Sequence, residues 1–324
     1  MALKGWKNKV AVFCLLFLLA GINSLAFGLD KIPLTGDATS YNSYATNIVL
    51  GRGYSLYDTA EFSTYREPAY SFFLSLIYRS FGIENFVFVK IFQILLVAGT
   101  AFFIYLSFIR CSYRDTGLVT AILTALIPYY GYYANVLMSE LFFGFFIALS
   151  FYLSVRILNK ETYTPLYLML GLAAGIAVLT KSVFLFFPLF LGAAIIYVHK
   201  NLHRSIYFLI IFILCVGLWI CYVNKKTGHF AITDGRIDIH LYTRAARSTL
   251  SYQDQAYFLY SWIRKSALGG QYNDILNKYE QLPLIEEYAY RKKHGETVAS
   301  IKRESVDKIL HNLDGYLFGN VIEW

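Results

Sequence analysis

Charged side chains are scarce in this sequence. Lys, Arg, Asp and Glu make up 15% of the 324 residues, whereas an average soluble domain carries about 25%. Hydrophobic residues reach 57%, and 18% of the chain is aromatic. This composition indicates an integral membrane protein and excludes an ordinary soluble domain. The net charge of +8 does not indicate a nucleic-acid partner, because the basic residues must first be placed relative to a bilayer.

The motifs of soluble enzymes are absent as well. The sequence contains no GxGxxG, Walker, HExxH or GxSxG motif, which excludes the dinucleotide-binding, P-loop, metalloprotease and α/β-hydrolase sites that these motifs build. The six histidines show no metal-ligand spacing on one outer surface. The four cysteines have no CxxC spacing and lie in apolar segments or at their edges, so we expect buried, inert thiols at Cys14, Cys111, Cys215 and Cys221.

Long apolar runs fill the first two thirds of the chain. A helix needs about 20 apolar residues to cross the hydrocarbon core, and the qualifying segments are 10–29, 86–109, 117–133, 136–158 and 206–223. The stretch 166–198 is too long for one span and is interrupted by Lys181 in "LTKS", so it predicts two short helices joined by a tight turn. A lysine in mid-bilayer would be costly. The sequence therefore predicts an all-α polytopic membrane protein with about seven transmembrane helices.

The first apolar run has a second interpretation. The segment "SLAFG" offers small residues at Ser24 and Ala26, as the cleavage site of a signal peptide would. The run is longer than the apolar region of a usual signal peptide, and further spans follow it.

The basic residues of the short loops predict the orientation. If the N-terminus is cytoplasmic, every inner loop is short and basic. These inner basic residues are Lys4, Lys7, Lys9, Arg110, Arg114, Arg156, Lys160, Lys200 and Arg204. The outer segments are then a first loop of about residues 30–85, the turn before Glu140, the turn at Lys181, and a tail.

The outer segments predict helices of their own. Residues 68–82 begin with Pro68 and are apolar but about one turn too short to span, so they predict an interfacial helix. The sequence thus divides into a membrane module, 1–223, and a more charged extracytoplasmic tail, 224–324, with helical spacing of its apolar residues.

This topology places several polar side chains on one external face. Asp37 and Tyr41 share a helix face in "GDATSY", and Arg66 with Glu67 precedes the interfacial helix. Each of these residues also has a purely structural interpretation, which stays open. In that interpretation Asp37 caps a short helix, and Arg66 and Glu67 form an exposed ion pair of little energetic value. Glu140 and Lys181 then reach towards lipid headgroups.

An acid and several cations at one membrane surface suit a particular chemistry. A carboxylate can activate an acceptor hydroxyl while cations hold a phosphate leaving group at headgroup depth. A sugar phosphate needs no acid to protonate its leaving oxygen, because phosphate leaves as an anion.

The order of the segments resembles a known family. After the first span come "GDATSYNSYATNIVLGRGYS" and "YREPAYSFFLSLIYRSFG", then "IPYYGYYANVLMSELFF" and "GLAAGIAVLTKSVFLFFPLF". Over residues 8–320 this is similar to the GT-C glycosyltransferases, in the branch of protein O-mannosyltransferases and the lipid A aminoarabinose transferase. The resemblance implies seven spans, two interfacial helices in the first loop, and a polyprenyl-phosphate sugar used on the extracytoplasmic face.

The resemblance also implies roles for individual residues. Asp37 matches the catalytic base of the first loop. Arg66 and Lys181 match residues that bind the donor phosphate. The remaining matches suggest an acceptor or second acidic site, and these residues are Glu67, Glu140, Tyr41 and Tyr70.

We therefore expect an inverting glycosyltransferase that moves a hexosyl or pentosyl group from a polyprenyl-phosphate donor to an extracytoplasmic acceptor, which is an envelope glycan, a lipid or a protein. The expected location is the bacterial inner membrane. No cofactor is specified, although two acidic residues on one face leave room for a divalent metal. Relatives usually continue with more spans where this chain stops at Trp324, which implies a minimal module or one that needs a partner subunit. The alternatives are a non-catalytic subunit of an envelope-glycan assembly complex and a lipid-linked sugar transporter.

Overall fold

The computed structural model describes residues 2–28, 32, 34, 36–56, 62–199, 202–233, 236–249, 291 and 296–317. Within these residues all regular structure is helical, apart from one isolated bridge between Ser55 and Phe62. The chain forms two compact units, Met1–Asp234 and Gly235–Trp324.

The first unit contains ten α-helices in its described part, and a short 3₁₀ helix, Ser182–Phe186, leads into the ninth. Their bounds are α1 Ala2–Ala26, α2 Asp37–Val49, α3 Pro68–Phe81, α4 Phe86–Arg110, α5 Arg114–Ala125, α6 Pro128–Tyr133, α7 Glu140–Leu158, α8 Thr164–Thr180, α9 Phe187–His199 and α10 Leu202–Thr227. In the described part of the second unit, α11 (Arg236–Ser248) packs on α12 (Val298–His311).

Four helices are long and apolar enough to cross a membrane, judged over the described residues. They are Asn8–Ala26, Phe86–Arg110, Glu140–Leu158 and Ser205–Thr227, and two shorter apolar helices are Thr164–Thr180 and Ser182–Val198. The chain is thus an all-α polytopic membrane protein, as the composition predicted. The predicted break at Lys181 is also confirmed, because α8 ends at Thr180 and Lys181 has an extended backbone.

The third predicted span, 117–133, is wrong as a single helix. α5 has 12 residues, or a length of about 18 Å, against a hydrocarbon core of about 30 Å. Pro128 has no N–H group and forces Ile127 out of the helical region, so the chain turns there and restarts as α6. The amide of Asn23 on α1 donates to the carbonyl oxygens of Ala125 (3.1 Å) and Ile127 (2.8 Å), on the two sides of the break between α5 and α6.

The helices of the membrane bundle approach closely where small residues meet. A Cβ atom added to Gly171 of α8 would lie 2.5 Å from the carbonyl oxygen of Phe208 on α10. One turn later, a Cβ on Gly175 would lie 2.8 Å from the sulfur of Cys215. This small-xxx-small spacing lets two backbones pack together where the hydrophobic effect gives little driving force.

The expectation of buried cysteines is wrong for three of the four. Cys14, Cys111 and Cys221 are exposed on the surface of the protein, and Cys215 is half-buried in the α8–α10 contact. An apolar segment predicts burial in lipid or in protein alike, so composition could not separate the two environments.

The first loop carries the two helices that position the site. α3 runs from Pro68 to Phe81 and buries one face, including Tyr70 and Leu74, while Leu76 on the other face is 66% exposed. α2 packs directly against α3, and the hydroxyl of Tyr78 donates to Asn42 at 2.7 Å. The predicted helix over 68–82 is therefore confirmed to within one residue.

Candidate active site

Asp37 lies at the beginning of α2 and forms an ion pair with Arg66. The helix begins at Asp37 itself, and Gly36 occupies the N-cap position with a positive φ of 55°, a conformation that favours glycine. The interpretation of Asp37 as the N-cap residue is therefore wrong. Its carboxylate still suits the positive end of the helix dipole. The side chain of Asp37 is 42% exposed, whereas that of Arg66 is 6% exposed, so the acid faces outwards and the cation faces inwards.

Arg66 is held by aromatic rings on two sides. Its guanidinium lies 4.9 Å from the ring centre of Tyr65 and 5.7 Å from that of Tyr41. The hydroxyl of Tyr54 donates to the backbone carbonyl of Arg66 at 3.0 Å and so fixes the chain at this point. Among the described residues, the buried Nε of Arg66 has no hydrogen-bond partner. An N–H without a partner in a buried place costs about 1–3 kcal/mol, and an anionic ligand would satisfy it.

Glu140 and Lys181 form a second ion pair. The ammonium nitrogen lies 2.9 Å from Oε1 of Glu140, with side-chain exposures of 34% for Lys181 and 23% for Glu140. Glu140 begins α7 and Lys181 follows the last residue of α8, so each charge lies at the helix end whose dipole stabilises it. The other carboxylate oxygen of Glu140 is buried and has no hydrogen-bond partner within the described part of the chain.

Three hydrogen bonds, at two junctions, join the segments that carry these ion pairs. The hydroxyl of Tyr41 on α2 donates to Oγ of Ser139, the residue before Glu140, at 3.1 Å. Burial raises the pKa of Tyr41 to about 12, so the phenol is neutral at pH 7 and acts as the donor. The second junction is at Glu67, whose Oε1 accepts from both the backbone N–H (3.3 Å) and the hydroxyl (2.9 Å) of Ser182.

Tyr70 packs against another residue of the site, Tyr41. It is fully buried, its ring meets that of Tyr41 edge-on at 5.0 Å, and its hydroxyl donates to Gln93 Oε1 at 2.8 Å. The amide of Gln93 in turn donates to the carbonyl of Ala134 at 3.0 Å. Tyr70 therefore packs against Tyr41, and its hydroxyl is engaged in a hydrogen bond to α4.

The structure thus brings together six of the seven predicted residues and places Tyr70 against one of them. The sequence reasoning missed Ser139, Ser182 and Gln93. The two serines are direct neighbours of predicted residues, in "SE" and "KS", and Gln93 is an amide in an otherwise apolar helix, a residue type that is unusual in a span.

A divalent metal would need several oxygen ligands in one place. Over the described residues, no group of three or more His, Cys, Asp and Glu side chains is clustered closely enough to hold a metal ion. Asp37 and Glu140 each contact a cation instead.

A family comparison covers most of this site. The sequence model of the dolichyl-phosphate-mannose-protein mannosyltransferase family matches residues 66–222, just under half of the 324 residues. The match begins at Arg66 and includes Glu140 and Lys181, while Asp37 lies before it. No curated protein and no solved structure is significantly similar to the chain. This match supports the resemblance inferred from the sequence, and over residues 66–222 the chain is similar to a family of GT-C membrane glycosyltransferases.

Proposed function

We propose that this protein is an inverting glycosyltransferase that moves a sugar from a polyprenyl-phosphate donor to a hydroxyl-bearing acceptor on the extracytoplasmic face of a bacterial inner membrane. The observation that carries the proposal is the pair of ion pairs, Asp37–Arg66 and Glu140–Lys181, formed by residues at the ends of four helices. The family match to enzymes described as using dolichyl-phosphate-mannose supports a lipid-linked donor and a mannosyltransferase type of reaction.

In the proposed reaction Asp37 acts as the general base. Its carboxylate accepts the proton of the acceptor hydroxyl while the acceptor oxygen attacks the anomeric carbon of the sugar. The bond between that carbon and the phosphate oxygen breaks, and the electron pair leaves with the polyprenyl phosphate. Because this is a single displacement, the configuration at the anomeric carbon inverts. Asp37 is the more exposed partner of its ion pair, which suits a base that must meet the acceptor.

Arg66 and Lys181 have the complementary role. Negative charge grows on the phosphate as the bond to the sugar breaks, and two cations close to the membrane surface stabilise it. Without the donor, each cation is neutralised by a carboxylate. The donor phosphate therefore competes with Asp37 for Arg66, and phosphate binding releases the carboxylate that acts as the base. The buried Nε of Arg66 offers the phosphate a donor that Asp37 does not use.

The direct test is sugar transfer by the purified protein in lipid nanodiscs. A panel of polyprenyl-phosphate hexoses and pentoses with labelled sugars is incubated with deglycosylated membrane extract, and transfer of the label from the polyprenyl phosphate to an acceptor is followed by chromatography. We expect Asp37→Asn to lower the rate of sugar transfer by about 10²–10⁴-fold, which is the usual contribution of a general base. Asp115→Asn is the control, because Asp115 is an exposed acid in the first turn of α5.

A strain that lacks the gene gives an independent test. It should accumulate the unused sugar-phospholipid, which lipid mass spectrometry would identify together with its sugar. Absence of both transfer and accumulation would refute the enzymatic proposal and favour the non-catalytic subunit. Transfer by Asp37→Asn at more than about a tenth of the wild-type rate would refute the role of Asp37 as base, because a general base contributes at least about 10²-fold.

A further inference from the structure

Glu67 makes a contact that the proposed chemistry does not explain. The residue is 5% exposed, and its Oε1 accepts two hydrogen bonds from one residue, Ser182, which lies 115 positions later in the chain. A carboxylate oxygen has two lone-pair positions, so both are filled on this atom. The sequence placed Glu67 with the acceptor or a second acidic site, whereas its Oε1 accepts from a backbone N–H and a hydroxyl group.

The neighbours of this contact are the two proposed phosphate-binding cations. Glu67 directly follows Arg66, and Ser182 directly follows Lys181. Consecutive Cα atoms are about 3.8 Å apart, so a contact between Glu67 and Ser182 restricts how far the two cations can separate. The two contacting residues lie in different parts of the fold, because Glu67 directly precedes α3 and Ser182 follows the end of α8.

The backbone around Glu67 is rigid for a local reason. Pro68 is the first residue of α3, and Glu67 before it has an extended backbone with φ −62° and ψ 144°. A proline fixes its own φ and keeps the preceding residue out of the helical region. The three residues of "REP" therefore combine a cation, a hydrogen-bond acceptor and a rigid backbone.

We infer that Glu67 is a positioning residue for the donor phosphate, which acts by holding the Ser182 turn so that Arg66 and Lys181 reach one phosphate group. The inference rests on the proposed donor class. The role needs an acceptor oxygen at position 67 and does not need its negative charge or its proton chemistry. Glu67 therefore differs from Asp37, whose proposed role depends on the ionised carboxylate.

Paired substitutions at position 67 separate these roles. Glu67→Gln keeps a side-chain oxygen that can accept both hydrogen bonds, so donor KM should stay within about threefold of the wild type. Glu67→Ala removes both hydrogen bonds, and donor KM should rise about tenfold or more with a smaller change in kcat, as the loss of two hydrogen bonds implies. Ser182→Ala keeps the backbone N–H and should give an intermediate effect. Ser154→Ala is the control, because that buried hydroxyl bonds only within its own helix in the described structure.

Binding of sugar-free polyprenyl phosphate, measured by titration in nanodiscs, provides a readout that needs no transfer. In this binding assay we expect Glu67→Gln to bind polyprenyl phosphate with nearly the affinity of the wild type and Glu67→Ala to bind it much more weakly. If the wild type binds the phosphate but transfers nothing, the proposed function fails while the positioning role is still judged by binding. If Glu67→Gln is as defective as Glu67→Ala in donor KM and phosphate binding, the charge is essential and the inference is overturned. An unchanged donor KM in Ser182→Ala with lowered thermal stability would also overturn it, because the contact would then be only structural.

Discussion

Exchanging the charges of the second ion pair separates its contribution to stability from its contribution to catalysis. In Glu140→Lys/Lys181→Glu, an ammonium and a carboxylate again face each other over the 2.9 Å contact. The cation, however, moves from the end of α8 to the beginning of α7. We therefore expect the double variant to be more stable than either single variant and to use the donor poorly.

The expected change in the free energy of unfolding depends on the solvent exposure of the ion pair and on the dipoles of the two helix ends. A hydrogen bond to a charged group contributes about 1.5–3 kcal/mol, and the lower end applies because both side chains are partly exposed. Each single variant loses this bond, gains a like-charge contact and opposes one helix dipole. The double variant regains the bond, but at each of two helix ends it loses a favourable dipole interaction and gains an unfavourable one, of about 0.3–1 kcal/mol each. It should therefore be about 1.2–4 kcal/mol less stable than the wild type.

Two assays on the same nanodisc preparations check this prediction. Thermal unfolding should rank the wild type first, the double variant second and the single variants last. Donor titration should show a donor KM at least about tenfold higher in the double variant, from the loss of a charge-assisted phosphate contact. A double variant with the wild-type donor KM would refute Lys181 as a donor ligand. A double variant less stable than both single variants would refute the ion pair itself.

Three further predictions address the orientation, the bundle and the first junction. Reporters fused after Lys160 should be cytoplasmic and those fused after Gly228 external, as the basic short loops require; an external Lys160 would place the site on the wrong face. Gly171→Ala should lower the thermal stability because its Cβ would meet a backbone oxygen at 2.5 Å, whereas Gly217→Ala, whose Cβ would have no neighbour closer than 4.0 Å, should not. Tyr41→Phe loses one neutral hydrogen bond of about 0.5–1.5 kcal/mol but keeps its ring beneath the guanidinium, so it should raise donor KM about two- to tenfold, and an inactive variant would indicate a direct role for the phenol.

The membrane fold was largely predictable because apolar length and charge placement are properties of sequence. The break at Lys181 could be predicted in the same way, since a mid-bilayer charge is costly. The error at 117–133 arose because hydropathy counts apolar side chains and ignores the backbone. Pro128 was visible in the sequence, and the hydrogen-bond donor that satisfies the broken helix, Asn23, lies about a hundred residues earlier.

The candidate site was predictable as a set of residues but not as a set of contacts. Loop charges placed Asp37, Arg66, Glu140 and Lys181 on one side of the membrane, and the structure brings them together. Which carboxylate faces which cation depends on how four helix ends meet, and sequence spacing contains no such information. For the same reason the sequence could not show that Glu67 accepts hydrogen bonds from Ser182.

The location of charge within the described helices favours a transferase over a lipid-linked sugar transporter. A transporter would be expected to place charged side chains around a site near the bilayer midplane. Here the charged residues of the long described helices lie near helix ends, as with Lys90 and Arg110 of α4 and Arg156 of α7. The ion pairs of the site also lie at helix ends, where backbone dipoles and nearby water make charge tolerable. The phosphate of a polyprenyl-phosphate lipid lies in the headgroup region of a bilayer, while its polyprenyl chain lies in the hydrocarbon core. A site built from helix ends can therefore meet the donor phosphate without moving any charge through the membrane.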